Sequence, residues 1–210
     1  MRIDLVSDIV CPWCYVGRRR LAAALAARPG IDFEVHWHPF ELNPDLPDGG
    51  VDRESYWRRK FGDPSRLAEM VGRLVETGLE LEIEFDFPAI KVQPNTRRAH
   101  ELMHLAGLHG RGDDLAEALF RGYFVEGRDI GDPAVLAELA ESCGLPAQAT
   151  HATLVERAHA ATVDEHLRQV REAAVTAVPT FILAGRHAFS GAQPEQFLLE
   201  VIDHLAAAEA

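Results

Sequence analysis

Cys11-Pro12-Trp13-Cys14 is where residue type and spacing in this chain point most directly to covalent chemistry. Two thiols separated by two residues lie one turn apart on a helix, within reach of a mutual disulfide. They supply an attacking and a resolving sulfur, the minimum for thiol–disulfide exchange. Residues 2–7 alternate among β-forming types and read as a strand, Asp8 to Cys11 as a short turn, and Pro12 onward as a helix. Proline is welcome in that first turn, and Pro29-Gly30 stops the helix. Cys11 therefore falls at a helix N-terminus, where unpaired N–H groups and the helix dipole favour a thiolate. The expected division of labour is an exposed attacking Cys11 and a more buried resolving Cys14. Zinc is a weak competitor, because a four-ligand site needs two further cysteines or histidines at close spacing, and only His36/His38 comes near. An inert pair of core cysteines is the bland alternative.

The elements that must carry this pair follow from the hydrophobic pattern. Ile31 to His38 alternates as a second strand, so the chain opens as a βαβ unit with two parallel strands. After a loop from Pro39 to Gly50, helix-period stretches run over 53–61, 64–78, 94–109, 113–125, 132–142 and 147–175, with Leu81 to Phe87 as one candidate extra strand. Val178 to Ala184 reads as a strand, Gly185-Arg186 as a turn, and His187 to Ser190 as its hairpin partner. Phe197, Leu198, Val201, Ile202 and Leu205 mark a closing amphipathic helix. The layout is β-α-β, a long helical block, then β-β-α. Pro179 opens a strand, where a residue without an N–H needs a special position. A cis Val178–Pro179 bond would turn the preceding backbone outward, ready to pair with an extended substrate beside Cys11.

Composition narrows the class. The chain has 210 residues and a net charge of −12, which argues against nucleic acid as a partner because phosphate binding needs a basic footprint. No apolar run approaches the ~18 residues of a membrane helix. The charged start, Met1-Arg2-Ile3-Asp4-Leu5, lacks the apolar core of a secretory signal. Three cysteines do not make a disulfide scaffold. A cytoplasmic location and a single domain with one large insertion are expected.

With these residues in place, the sequence resembles DsbA-like thioredoxin-fold oxidoreductases, specifically the FrnE-like branch. The resemblance rests on Ser7-Asp8-Ile9-Val10-Cys11-Pro12-Trp13-Cys14-Tyr15-Val16-Gly17 and on His38-Pro39-Phe40-Glu41-Leu42-Asn43-Pro44. It continues through Asn95-Thr96, Ala99-His100, Tyr123-Phe124, Glu126-Gly127, Val178-Pro179-Thr180-Phe181 and Ser190-Gly191-Ala192-Gln193. It implies an α/β thioredoxin-like fold whose βαβ and ββα halves (1–50 and 176–210) are separated by an inserted helical domain (51–175). It further implies a redox-active Cys11–Cys14 pair facing a cis proline at Pro179, with Pro12 and Trp13 tuning the potential and Val178, Pro179 and Thr180 shaping the substrate strand. The expected activity is a protein-disulfide oxidoreductase or isomerase acting on protein or small-molecule disulfides and thiols. No metal and no organic cofactor is required, because the two sulfurs carry the electrons. The related 2-hydroxychromene-2-carboxylate isomerases and kappa-class glutathione transferases typically carry serine at the first cysteine position. The intact Cys11–Cys14 pair argues against that branch. A glutathione-dependent isomerase or transferase acting on an aromatic or polyketide-like molecule is the alternative, with glutathione as co-substrate and a homodimer both left open. A thiol-based chaperone, its helical insertion binding partners, is a third reading.

Other signals carry less. His100-Glu101-Leu102-Met103-His104 matches the H-E-x-x-H of zinc proteases, and His109 follows the second histidine by five residues where the extended pattern wants six. One residue of offset rotates a helical ligand by about 100°, so a coincidence on an amphipathic helix is the better reading. His36 and His38 share one strand face. Asp8 reads as a turn former in preference to a modulator of Cys11, Arg18-Arg19-Arg20 as a solvated helix face in preference to an anion site, and Cys143 as a small buried residue.

Overall fold

The computed structural model describes residues 1–209. Strand β1 (Arg2–Ser7) leads into α1 (Pro12–Ala26) and then β2 (Glu34–Pro39), which pairs parallel with β1. At the far end of the chain β5 (Thr180–Leu183) and β6 (His187–Ser190) form a hairpin, with β5 antiparallel to β1. The sheet order is β2-β1-β5-β6, and α9 (Glu195–Glu209) closes the chain against α1. Ile3 and Leu5 from β1, Phe181 and Leu183 from β5, Leu21 and Ala24 from α1 and Leu198, Ile202 and Leu205 from α9 make one core. Because β1 is a central strand, its second face is buried too. Asp4 lies there, and although burial opposes its ionisation, hydrogen bonds from Arg2 and His38 prevail and hold the carboxyl below the usual range.

Between the halves lie a two-residue ladder of β3 (Val51–Asp52) with β4 (Val92–Gln93) and a helical block. The block comprises α2 (Arg53–Phe61), α3 (Pro64–Glu80), a 3-10 turn (Phe87–Ala89), α4 (Arg97–Leu108), α5 (Gly112–Phe124), α6 (Pro133–Ser142), α7 (Ala147–Leu154) and α8 (Ala160–Glu172). Its core stacks Tyr15 of α1 on Phe120 of α5, with ring centroids 5.1 Å apart, and contains both Cys11 and Cys14. The cysteine pair thus sits in the helical core, on the other side of α1 from the sheet core.

Several boundaries depart from the sequence reading. Strand β2 begins at Glu34, not Ile31, because Arg2, the first residue of β1, is the partner of Glu34. Leu81 to Phe87 is not a strand: Ile83 and Phe87 plug the helical core, and the backbone of Asp86 donates to the carbonyl of Phe124. The stretch 147–175 is two helices, broken near Arg157, which adopts a positive φ of 57°. Val178 and Pro179 precede β5; their peptide bond is cis.

Candidate active site

Cys11 is the N-cap of α1, in extended conformation, and Pro12 follows in the first turn. The Cys11 N–H donates to the carbonyl of Asp8 at 3.0 Å, and the Cys11 carbonyl accepts from Cys14 N at 3.0 Å, so the turn delivers the first cysteine to the helix end. Its Sγ lies 3.8 Å from the carbonyl oxygen of Val178, 167 residues away in sequence. The topology places them together, since β1 and β5 are hydrogen-bonded neighbours and the strand of one ends where the other begins. Cys14 is 1% exposed, and burial pushes its thiol well above the ordinary range; the hydrogen bond and charge of Cys11 push the same way, against smaller opposing effects of Ser7 and the Asp8 backbone. Both thiols are free. The expected ordering of exposure holds, but Cys11 is not exposed: 6% of it is accessible. Its side chain turns into the helical core, against which Trp13 and Val178 also pack.

The surrounding predicted residues converge. Pro12 and Trp13 are half-buried on the first turn of α1, while Pro179 and Thr180 are buried. The Thr180 hydroxyl donates to the Ala177 carbonyl at 2.7 Å and lies 2.6 Å from the Ser190 hydroxyl, which fixes the segment just before β5. Gly191 N donates to the Pro179 carbonyl at 2.8 Å.

The family of DSBA-like thioredoxin domains matches residues 2–203. The chain belongs to this family. The uncharacterised protein YwbO of Bacillus subtilis (strain 168) is 34% identical over 184 residues, covering 87% of this chain and 86% of that protein. A crystal structure of the probable DsbA oxidoreductase SCO1869 from Streptomyces coelicolor superposes with a TM-score of 0.87 at 32% identity, over 97% of this chain and 89% of the other. The cytosolic disulfide reductase DsbM from Pseudomonas aeruginosa, solved with GSH, shares the fold at a TM-score of 0.65 and 21% identity, over 98% of this chain and all of DsbM.

In this DsbA-like chain Asp8 forms the turn as expected and has a second role, while the readings of Arg18-Arg19 and of Cys143 change. Asp8 is fully buried, and its backbone makes the turn while its carboxylate reaches across to accept Leu42 N at 2.7 Å. His100 Nε2 lies 3.4 Å from the other Asp8 oxygen and 2.9 Å from the Phe40 carbonyl, so the pair ties the loop after β2 behind the cysteine turn. Arg18 and Arg19 are not a solvated face. Arg18 pairs with Asp113 at 2.7 Å and with Glu117, and Arg19 with Glu117 at 2.6 Å, where the Tyr15 hydroxyl also donates. This cluster bolts the cysteine helix to α5. Cys143 is half-buried at the C-cap of α6, and burial raises its thiol.

The H-E-x-x-H segment has other employment. Glu101 is fully buried and forked onto Arg157, with Oε1 and Oε2 at 2.5 and 2.9 Å from guanidinium nitrogens. His104 packs against His159 and His166, at ring centroids 4.9 and 5.5 Å. Among the described residues no group of three or more His, Cys, Asp or Glu could hold a metal, and no helix is long and apolar enough to cross a membrane. Sequence reasoning missed the Glu117 cluster and gave no role to Gly17, whose absent side chain lets α1 approach Pro179; the signal for that role was a glycine inside a helical run.

Proposed function

We propose that the chain is a thiol–disulfide oxidoreductase working through Cys11 and Cys14. The observation that carries the reading is the Cys11 sulfur at the helix N-terminus, against the Val178 carbonyl, with the buried Cys14 thiol behind it. The Cys11 thiolate attacks one sulfur of a substrate disulfide; a Cys11–substrate bond forms and the other substrate sulfur leaves as a thiolate. Cys14 then loses its proton and attacks Cys11 Sγ. The Cys11–Cys14 disulfide forms, the second substrate thiolate leaves, and the substrate has gained the two electrons the pair has lost. Run backward, the same steps oxidise a dithiol. Val178, Pro179 and Thr180 line the substrate strand, and Pro12 and Trp13, between the two cysteines in sequence, tune the pair. Substrates are protein or small-molecule disulfides and thiols; no metal or organic cofactor enters either step.

The test is equilibration across glutathione redox buffers, with the thiol state of each cysteine read by mass-shifting alkylation. A reversible two-thiol transition is expected, Cys11→Ser abolishing exchange and Cys14→Ser accumulating mixed disulfides. Full exchange in Cys11→Ser overturns the reading. A pair that never closes while Cys11 carries a glutathione adduct points instead to a glutathione-dependent isomerase or transferase.

A further inference from the structure

A cavity of about 540 Å³ opens between α2, the first turns of α3 and the segment 87–91, a size that suits a small organic ligand. None of residues 7–17 or 177–181 lines it, so it is separate from the dithiol. Its walls are mainly apolar and aromatic, with Trp57, Phe61, Phe87 and Val71 among them.

The charges around it are unequal in their partners. Asp52 caps α2 by accepting Ser55 N at 2.9 Å, Glu54 pairs with Arg58 at 2.5 Å, and Asp63 accepts from Ser65. Arg53 differs. It is 6% exposed, its hydrogen bonds leave from Nη1 to the Tyr123 hydroxyl at 2.7 Å and Gln93 Oε1 at 3.5 Å, and its guanidinium lies 4.1 Å from the centre of the Trp57 ring. Among the described residues no carboxylate pairs with it. A buried cation without a counter-charge is costly, and burial lowers its hold on the proton. Nε and Nη2 keep a two-donor fork available, the geometry that matches a carboxylate.

We propose that this cavity binds a small organic carboxylate with an aromatic or branched aliphatic body, the carboxylate pairing with Arg53 and the body lying along Trp57, Phe87 and Val71. Arg53 supplies the missing anion's site, and Trp57, which carries the Arg53 guanidinium over its ring, is one of the aromatic walls along which the body packs.

The test compares 3-phenylpropionate with its neutral amide, 3-phenylpropionamide, titrated calorimetrically into the full chain. The acid is expected to bind saturably and at least tenfold more tightly than the amide, with a change in tryptophan emission that disappears in Trp57→Phe. Arg53→Met is expected to erase the preference for the acid while disulfide exchange stays unchanged. Val71→Trp, which puts a large side chain into the cavity from α3, is expected to abolish binding of the acid, and keeps the proposal testable should Arg53→Met fail to fold. Equal affinity for acid and amide, no binding of the acid at millimolar concentration, a preference that survives Arg53→Met, binding that survives Val71→Trp, or an emission change that survives Trp57→Phe each overturns it.

Discussion

Gly17 offers the sharpest check on how the cysteine helix is seated. A Cβ there would stand 3.0 Å from Pro179 Cγ and 3.1 Å from Phe181 Cζ. Neither neighbour yields easily. Phe181 is fully buried, and Pro179 is held by the Gly191 N–H at 2.8 Å. Alanine in place of a helical glycine gains about 1 kcal/mol of helix propensity, while overpacking a tight contact costs about 1–3 kcal/mol. The net for Gly17→Ala is therefore between zero and about 2 kcal/mol of destabilisation. Gly72, within α3, has nothing within 4 Å of the same added carbon, so Gly72→Ala keeps the whole gain. For a chain of this size 1 kcal/mol moves Tm by about 2–4 °C. Thermal denaturation followed by circular dichroism should show Gly72→Ala melting about 2–4 °C higher, and Gly17→Ala unchanged or up to about 8 °C lower. Gly17→Ala should also slow disulfide exchange, because pressing on Pro179 displaces the Val178 carbonyl from Cys11. Two alanines that raise Tm equally and leave exchange alike would refute the packing argument.

Other outcomes follow from the same geometry. Because burial holds Cys14 well above the ordinary thiol range, iodoacetamide at pH 8 should label Cys14 at least about tenfold more slowly in the native protein than in the unfolded one; peptide mass spectrometry reads the difference. Arg157→Met strands the buried Glu101 carboxylate and should cost about 1.5–3 kcal/mol in urea denaturation. Burial lowers both His104 and His166; the neighbouring His159 and His166 add to this for His104 and His38 for His166, while Glu165 opposes weakly. With folded values below the unfolded 6.5, the unfolded chain binds more protons. Stability is then present above pH 6.5 and lost as pH falls through that value toward the folded ones. A Tm profile from pH 8 to 5 should decline, and His104→Gln should flatten it; a flat wild-type profile contradicts the assignment.

The βαβ opening, the hairpin and the closing helix were readable because their cues are local. Alternation in β1, proline at the start of α1, and helical spacing in α9 each act within a dozen residues. The same locality explains the misread segments. Leu81 to Phe87 has the composition of a strand, yet it joins neither sheet, and its apolar side chains pack into the helical core instead. Residues 147–175 keep one helical period, yet the chain breaks near Arg157, whose guanidinium reaches the buried Glu101 carboxylate from far earlier in the chain.

The candidate site divides along the same line. The sequence by itself determined which atoms can do chemistry: two thiols one turn apart at a helix start, and a proline at a strand start. Neighbours in sequence decide helix ends and sulfur spacing, so that much needs no tertiary information. Only the folded chain decided that Cys11 meets the Val178 carbonyl, that Asp8 and His100 brace the turn, and that Glu117 fastens α1 to α5. It also decided that Arg53 faces a cavity without a carboxylate partner. Each of these depends on what packs against a residue from far along the chain, and burial, which sets the Cys14 thiol, exists only once that packing is complete.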